Sequence, residues 1–200
     1  MNVRADIRDE EILLLGLCRL SFDAEKKVML TALAENLDDW SYFTSLAQKH
    51  GVSALVYNNL ESLGFLHLVP EESRTILHSS LMISISRNTL QYKGAAEALS
   101  LLNRENIKTV LLKGLALEIS VYGNKGLRQM TDVDVLVSPD DCLKAAKILM
   151  NGGFVSHPVK SALHRPILAY IGKHLPTLTK EGFSIEVHHE LFGAGKSWLT

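Results

Sequence analysis

Two aspartates, Asp132 and Asp134, are of a type and spacing that suggest a metal-binding or catalytic role. Alternate side chains of a strand point to the same face, so the two carboxylates would lie side by side. Neighbouring carboxylates repel each other unless one is protonated or a cation binds, and Mg²⁺ and Mn²⁺ prefer carboxylate oxygens. With a third acid, Glu186, on a later predicted strand, they predict a two-metal site for phosphoryl or nucleotidyl transfer. Glu186 is then a candidate base or bridging metal ligand.

Three further residues predict a place for phosphates. Lys113 and Gly114 stand where a predicted strand passes directly into a predicted helix. The first turn of a helix has free N–H groups, and glycine permits close approach of the backbone to a ligand. Lys113 and Arg128 could add charge-assisted hydrogen bonds to a triphosphate. Lys113, Gly114 and Arg128 are therefore the predicted nucleotide-binding residues.

The elements that must position these residues differ between the two halves of the chain. Residues 1–104 carry apolar residues at helical spacing, and we expect a helical N-terminal region. Residues 105–192 alternate short strands with helices, and we expect a small mixed-sheet core, with residues 193–200 as a tail. The predicted fold class is α+β, with the helical half packed on that core. The predicted strands are Ile107–Leu112, Asp132–Val137, Leu175–Thr179 and Phe183–His188.

Composition narrows the class of protein further. The 200 residues carry a net charge of −1, with 46% hydrophobic and 22% charged residues, which is typical of a globular domain. This balance gives weak evidence against binding of long nucleic acids. No apolar run approaches the length of a membrane span, and two cysteines do not make a disulfide framework. We expect a soluble, cytoplasmic protein without a membrane partner.

The motif around these residues is similar to that of a known family. The stretch from Leu111 to Val137 resembles "KG-x-A-L…Y…R…D-h-D-h-L-V", where h is apolar, and Ile185–His188 resembles the family's later strand. This pattern resembles the uncharacterised nucleotidyltransferase family of the polymerase-beta-like superfamily, over most of residues 40–191. The resemblance implies Mg²⁺- or Mn²⁺-dependent transfer of a nucleoside monophosphate from an NTP, such as ATP, to an acceptor hydroxyl, with release of pyrophosphate.

Two residues depart from the superfamily pattern. Lys113-Gly114 stands where Gly-Ser is common, and Glu186 where Asp is more usual. Superfamily enzymes also generally continue beyond this point, which leaves open whether the chain is a fragment. The alternative is a catalytically inactive nucleotide-binding or interaction module of the same fold. The acceptor (a small molecule, a tRNA or a protein), the NTP and the oligomeric state are not determined by the sequence.

Three further features of the sequence give weaker signals. His188 follows Glu186 by two residues and shares its strand face, whereas the adjacent His189 does not; we interpret His188 as a packed or solvent histidine, with a place in the site as the alternative. Residues 193–197 resemble part of a P-loop, but the first glycine and the following helix are missing. A metal-binding D-x-D of a glycosyltransferase is disfavoured because the apolar run here follows the acids.

Overall fold

The computed structural model describes residues 7–123, 126–158 and 172–191. The predicted tail, and with it the P-loop-like segment, lies outside these residues. By their contacts, the residues divide into two compact units: the first holds the chain up to Ser86 together with Tyr122–Gln129, and the second holds Arg87–Val121 and the chain from Met130 onward. The boundary predicted at residue 104 remains a prediction; it coincides with the end of a helix within the second unit.

The first unit is helical. Its helices are α1 (Asp9–Leu17), α2 (Ala24–Glu35), α3 (Trp40–Lys49), α4 (Ser53–Ser62) and the first part of α5 (Glu71–Arg104). Short polar side chains begin two of them, since Asp23 Oδ1 accepts from Lys26 N at 2.7 Å and Asp39 Oδ1 from Tyr42 N at 2.8 Å. The apolar faces of these helices form one buried cluster around Phe43. Among the described residues, no helix is both long and apolar enough to cross a membrane.

The second unit contains a five-stranded mixed sheet. After the rest of α5 come β1 (Val110–Leu112), α6 (Lys113–Leu117), which continues as a π-helix over Glu118–Tyr122, β2 (Val133–Leu136), α7 (Cys142–Asn151), β3 (Val155–Ser156), β4 (Leu178–Lys180) and β5 (Phe183–His188). The strand order is β1-β2-β5-β4-β3. Among the strands of the described residues, β2 and β5 pair in parallel and the other neighbours are antiparallel.

Strict alternation gives the two central strands an apolar face and a polar face. Val133 and Val135 of β2 are fully buried, as are Ile185 and, almost fully, Val187 of β5. They belong to the core cluster of this unit, with α5 and α7 residues. The intervening side chains, which include those of Asp134 and Glu186, therefore point to the opposite face of the sheet. The apolar face anchors the strands, and the other face is left for polar groups.

Gly94 allows α5 to lie close to this sheet. A Cβ placed on Gly94 would meet the ring of the buried Phe183 of β5 at 2.2 to 2.7 Å, closer than real side chains approach. From propensity alone, a glycine here costs the helix roughly 1 kcal/mol relative to alanine. The close helix–strand contact explains why a glycine is nevertheless accommodated inside a long helix.

The α+β class is confirmed, and all four predicted strands are present. Phe183–His188 has the predicted bounds, β1 and β2 are shorter than predicted, and β4 begins later and ends one residue further along the chain. A two-residue loop joins β4 and β5, and Glu181 and Gly182 both have positive φ, at 49° and 81°, as hairpin turns of this length require. Ser138 begins the helical segment that leads into α7, because its hydroxyl accepts from Asp141 N at 3.2 Å. Strand β3 was not predicted, since two residues are too few for a periodic signal.

Candidate active site

The two central acids lie side by side because of the strand register. Asp134 of β2 is the direct partner of Glu186 of β5 in the parallel pair. Aligned residues of paired strands project to the same face, so both carboxylates leave the sheet on the side opposite the apolar core. Asp134 is almost fully buried and Glu186 half-buried. Two carboxylates at this spacing favour a cation between them.

Lys113 supplies a positive charge to this pair. Its Nζ lies 2.6 Å from Asp134 Oδ1, and the Lys113 side chain is 57% exposed while that of Asp134 is 4% exposed. The lysine reaches the carboxylate because Leu112, at the end of β1, pairs with Asp134 of β2. Lys113 adopts φ of 46°, a left-handed conformation that favours glycine, as the chain passes from β1 into α6. This unfavourable backbone conformation holds the ammonium at the edge of the carboxylate pair.

His188 lies between the same two acids. Its Nε2 is 2.8 Å from Asp134 Oδ1 and 3.5 Å from Glu186 Oε2, and the side chain is 7% exposed. Ligand atoms of Asp134, Glu186 and His188 all lie within 4.8 Å of one another. The sequence favours a packed or solvent position for His188 and leaves a place in the site as the alternative. The signal in the sequence is its spacing of two residues from Glu186 on one strand, and in the structure the two side chains lie next to each other.

The electrostatics of Asp134 follow from its neighbours. Burial by itself raises the pKa of this carboxyl, but hydrogen bonds from His188 and Lys113 and their charges outweigh burial and lower the pKa below its usual range. The hydrogen bond to Asp134 raises the pKa of Lys113, and the charges of Asp134, Glu186 and Asp132 act in the same direction. Asp134 is thus held as a carboxylate and Lys113 as an ammonium.

Asp132 lies next to this group but not within it. It precedes β2, is half-buried, and accepts a hydrogen bond from Thr131 Oγ1 at 3.1 Å. Its charge contributes to the field at Lys113. It does not belong to the described set of acids and histidines whose ligand atoms converge, so its predicted role as a metal ligand remains a prediction.

Neighbouring polar groups orient Glu186. Thr177 Oγ1 donates to Glu186 Oε1 at 3.2 Å. His174 Nδ1 lies 3.9 Å from Glu186 Oε2, and the His174 ring is 4.9 Å from that of His188. His174 also forms an isolated bridge with His188 through the backbone. The Thr177 hydroxyl thus orients Oε1 of Glu186, while Oε2 lies near the His174 and His188 rings.

Two predicted phosphate-binding residues have different positions. Gly114 is the second residue of α6 and directly follows Lys113, whose side chain contacts Asp134. Arg128 belongs by its contacts to the first unit, whereas the acids belong to the second. Lys113 is thus the predicted phosphate-binding residue that contacts the acid pair directly, and the role of Arg128 remains a prediction.

The donor set fits a divalent cation. Two carboxylates that face each other and a histidine nitrogen between them provide three ligand atoms on one face of a rigid sheet. The strand pairing holds both acids in place before any ligand binds, which is what a preorganised metal centre requires. Such a centre, next to a half-exposed lysine, is suited to binding a phosphate chain and stabilising its negative charge.

Comparison with known protein families gives a match over most of the chain. A family model described as "Uncharacterised nucleotidyltransferase" matches residues 36–198, which is most of the chain and includes all the residues of the site. No curated protein matches. The resemblance drawn from the motif around Lys113, Asp132 and Asp134 is therefore confirmed at the level of the family.

Proposed function

The chain belongs to the uncharacterised nucleotidyltransferase family, and from this premise we propose that it transfers a nucleoside monophosphate from an NTP to an acceptor hydroxyl, releasing pyrophosphate. The observation that carries the proposal is the register that pairs Asp134 with Glu186 beside Lys113. Buried, preorganised carboxylates next to a cationic side chain match what phosphoryl-group chemistry needs, since catalysis of that chemistry is mainly positioning and charge stabilisation.

The acids would hold the divalent ions on which this chemistry depends. Asp132, Asp134 and Glu186 are the proposed ligands for Mg²⁺ or Mn²⁺. When bound, such ions polarise the phosphoryl oxygens and stabilise the attacking and leaving oxygens. Glu186, whose other oxygen is fixed by Thr177, is also the candidate to accept the proton of the acceptor hydroxyl.

The cationic residues would bind the triphosphate. Lys113 is half-exposed, so its ammonium can exchange Asp134 for a phosphate oxygen without leaving the site. Gly114 presents backbone next to it, and Arg128 is the proposed second cationic contact. The acid pair and Lys113 therefore have separable roles: the acids bind the metal, and the lysine binds the nucleotide tail.

Calorimetry tests the proposal before any acceptor is known. An NTP with a methylene between the α- and β-phosphorus atoms cannot transfer its NMP, so its binding can be measured with saturating Mg²⁺ or Mn²⁺. We expect metal-dependent binding that Asp134→Asn and Glu186→Gln each weaken by at least about tenfold, because each removes a charged ligand. Asp140→Asn, an exposed acid of the same unit, is the matched control and should leave binding unchanged. Absence of metal-dependent binding to the wild-type chain at millimolar nucleotide contradicts the proposal.

Transfer itself requires a second measurement. Incubation with NTPs labelled at the α-phosphorus and a cell lysate should leave label on an acceptor if the chain is an enzyme. An inactive nucleotide-binding module of the same fold would bind the analogue in the first experiment and leave no label in the second. The two measurements therefore separate the enzyme from the alternative function.

A further inference from the structure

The position of His188 within the acid pair differs from that of a histidine that merely pairs with one carboxylate. A structural hydrogen bond to Asp134 needs contact with that residue alone. Here the same ring nitrogen, Nε2, lies 2.8 Å from Asp134 Oδ1 and also 3.5 Å from Glu186 Oε2. The nitrogen therefore points into the gap between the two carboxylates, which is where a shared cation would be coordinated.

The fold holds this nitrogen as firmly as it holds the acids. His188 as a whole residue is 5% exposed. It lies at the end of β5, where it pairs with Leu136 of β2. The His188 backbone carbonyl also accepts from Val137 N at 3.0 Å. Glu186 precedes it by two residues on the same strand, so both side chains leave the same face. The imidazole is thus part of the rigid centre of the sheet.

The chemistry of this donor set is distinct from that of three carboxylates. Mg²⁺ takes oxygen ligands almost exclusively, whereas imidazole nitrogen is a good ligand for first-row transition ions. A set of two carboxylates and one imidazole therefore binds a transition ion better than an all-oxygen set does, while adding little for Mg²⁺. Mn²⁺ accepts both oxygen and nitrogen ligands and serves as the probe.

We propose that one ion of the metal pair is bound by Asp134, Glu186 and His188, so that this centre selects a first-row transition ion such as Mn²⁺ over Mg²⁺. The inference rests on the proposed function and assigns His188 as a metal ligand. Asp132, which lies outside the converging group, is left to contribute with Asp134 to the second ion. Lys113 is displaced from Asp134 when the first ion binds and becomes available to the phosphates.

Affinity for the two metals alone provides the first test. Calorimetry with Mn²⁺ and with Mg²⁺, without nucleotide, is compared for the wild type and His188→Gln. We expect His188→Gln to weaken Mn²⁺ binding by about tenfold or more, and Mg²⁺ binding by no more than about threefold, because the lost ligand is a nitrogen. His157→Gln, an exposed histidine of the same unit, is the matched control and should change neither affinity.

A spectroscopic readout distinguishes coordination from a structural role. In protein labelled with ¹⁵N-histidine, electron spin echo measurements on bound Mn²⁺ should show coupling to ¹⁵N in the wild type and none in His188→Gln. A second variant, His188→Glu, supplies a third carboxylate in case the glutamine variant is unstable. It should retain Mg²⁺ binding, lose the ¹⁵N coupling and lose the preference for Mn²⁺.

The outcomes separate the inference from the function on which it rests. If the wild-type chain binds Mn²⁺ but shows no ¹⁵N coupling, or if His188→Gln weakens Mn²⁺ and Mg²⁺ equally, His188 is not a ligand and the nucleotidyltransferase proposal stands. Coupling that persists in His188→Glu also overturns the inference, since another histidine is then the source. If the wild type binds neither ion, with or without the nucleotide analogue, the proposed function fails as well.

Discussion

Replacement of Lys113 by methionine should improve metal binding and weaken nucleotide binding at the same time. The Lys113 ammonium occupies Asp134 Oδ1 at 2.6 Å, so it competes with an incoming ion for that oxygen and repels its charge. Methionine is an unbranched side chain only one atom shorter than lysine, and it removes the positive charge. A lysine that served only to stabilise the fold would not produce opposite changes in the two affinities.

The size of the effect follows from the geometry. Two unit charges 2.6 Å apart attract each other by about 1.6 kcal/mol in bulk water, and by more where the dielectric is lower. The Lys113 side chain is 57% exposed, so solvent screens the pair, and measured values for exposed pairs are at most about 1 kcal/mol. Because Asp134 is buried, we expect about 1–1.5 kcal/mol, which is about 5- to 13-fold tighter binding of Mn²⁺ in Lys113→Met.

Two titrations measure these changes. Mn²⁺ alone is titrated into Lys113→Met and into the wild type by calorimetry, and the non-transferable NTP analogue is then titrated at saturating Mn²⁺. Lys180→Met is the matched control, because Lys180 Nζ makes an equally short contact of 2.6 Å with Glu97, outside the acid group. Unchanged or weaker Mn²⁺ binding by a folded Lys113→Met protein would refute the competition between ammonium and metal.

Three further predictions concern other parts of the structure. Gly94→Ala should lower the free energy of unfolding in urea by about 1–2 kcal/mol, because overpacking against Phe183 exceeds the gain in helix propensity; an unchanged or increased value contradicts the close contact. Maleimide at pH 8 should label Cys18 in preference to Cys142, as mass spectrometry of the native chain will show. Burial raises the pKa of both thiols, but Cys18 is exposed, whereas Cys142 is buried with a pKa of about 11, which leaves roughly one thousandth of it as reactive thiolate. Thr177→Val should weaken Mn²⁺ binding roughly tenfold in calorimetry, because it removes a hydroxyl that orients a metal ligand.

Each of these predictions has an internal control. Phe183→Leu combined with Gly94→Ala should show a favourable coupling energy, since the smaller side chain relieves the contact. Cys142 should react with maleimide once denaturant unfolds the chain. The folded protein should also lose stability as the pH rises from 9 toward 11, because the Cys142 thiol of the unfolded chain releases its proton at a lower pH than the buried thiol does. Thr177→Ser retains the hydroxyl and should bind Mn²⁺ as the wild type does.

Local sequence signals determined the elements and the types of residue in the site. The alternation in Asp132–Val137 and Phe183–His188 was sufficient to identify both central strands and the face that carries the acids. The cap at Ser138 and the turn at Gly182 are also local features, since they act through neighbours a few residues away. The family could be recognised because most of its motif lies within the continuous stretch from Leu111 to Val137.

Only the tertiary structure decided which of these residues meet. The pairing of Asp134 with Glu186 depends on the register of two strands that are more than forty residues apart in the chain, and no local propensity encodes such a register. The same pairing brings His188 next to Asp134, whereas its spacing from Glu186 along the strand indicates only that the two side chains share a face. The role of Gly94 was likewise not predictable from local sequence, because it depends on the close approach of α5 to Phe183 of a strand far along the chain. Local patterns report the neighbours of a residue along the chain, whereas a site is formed by contacts between segments that the whole core must pack together.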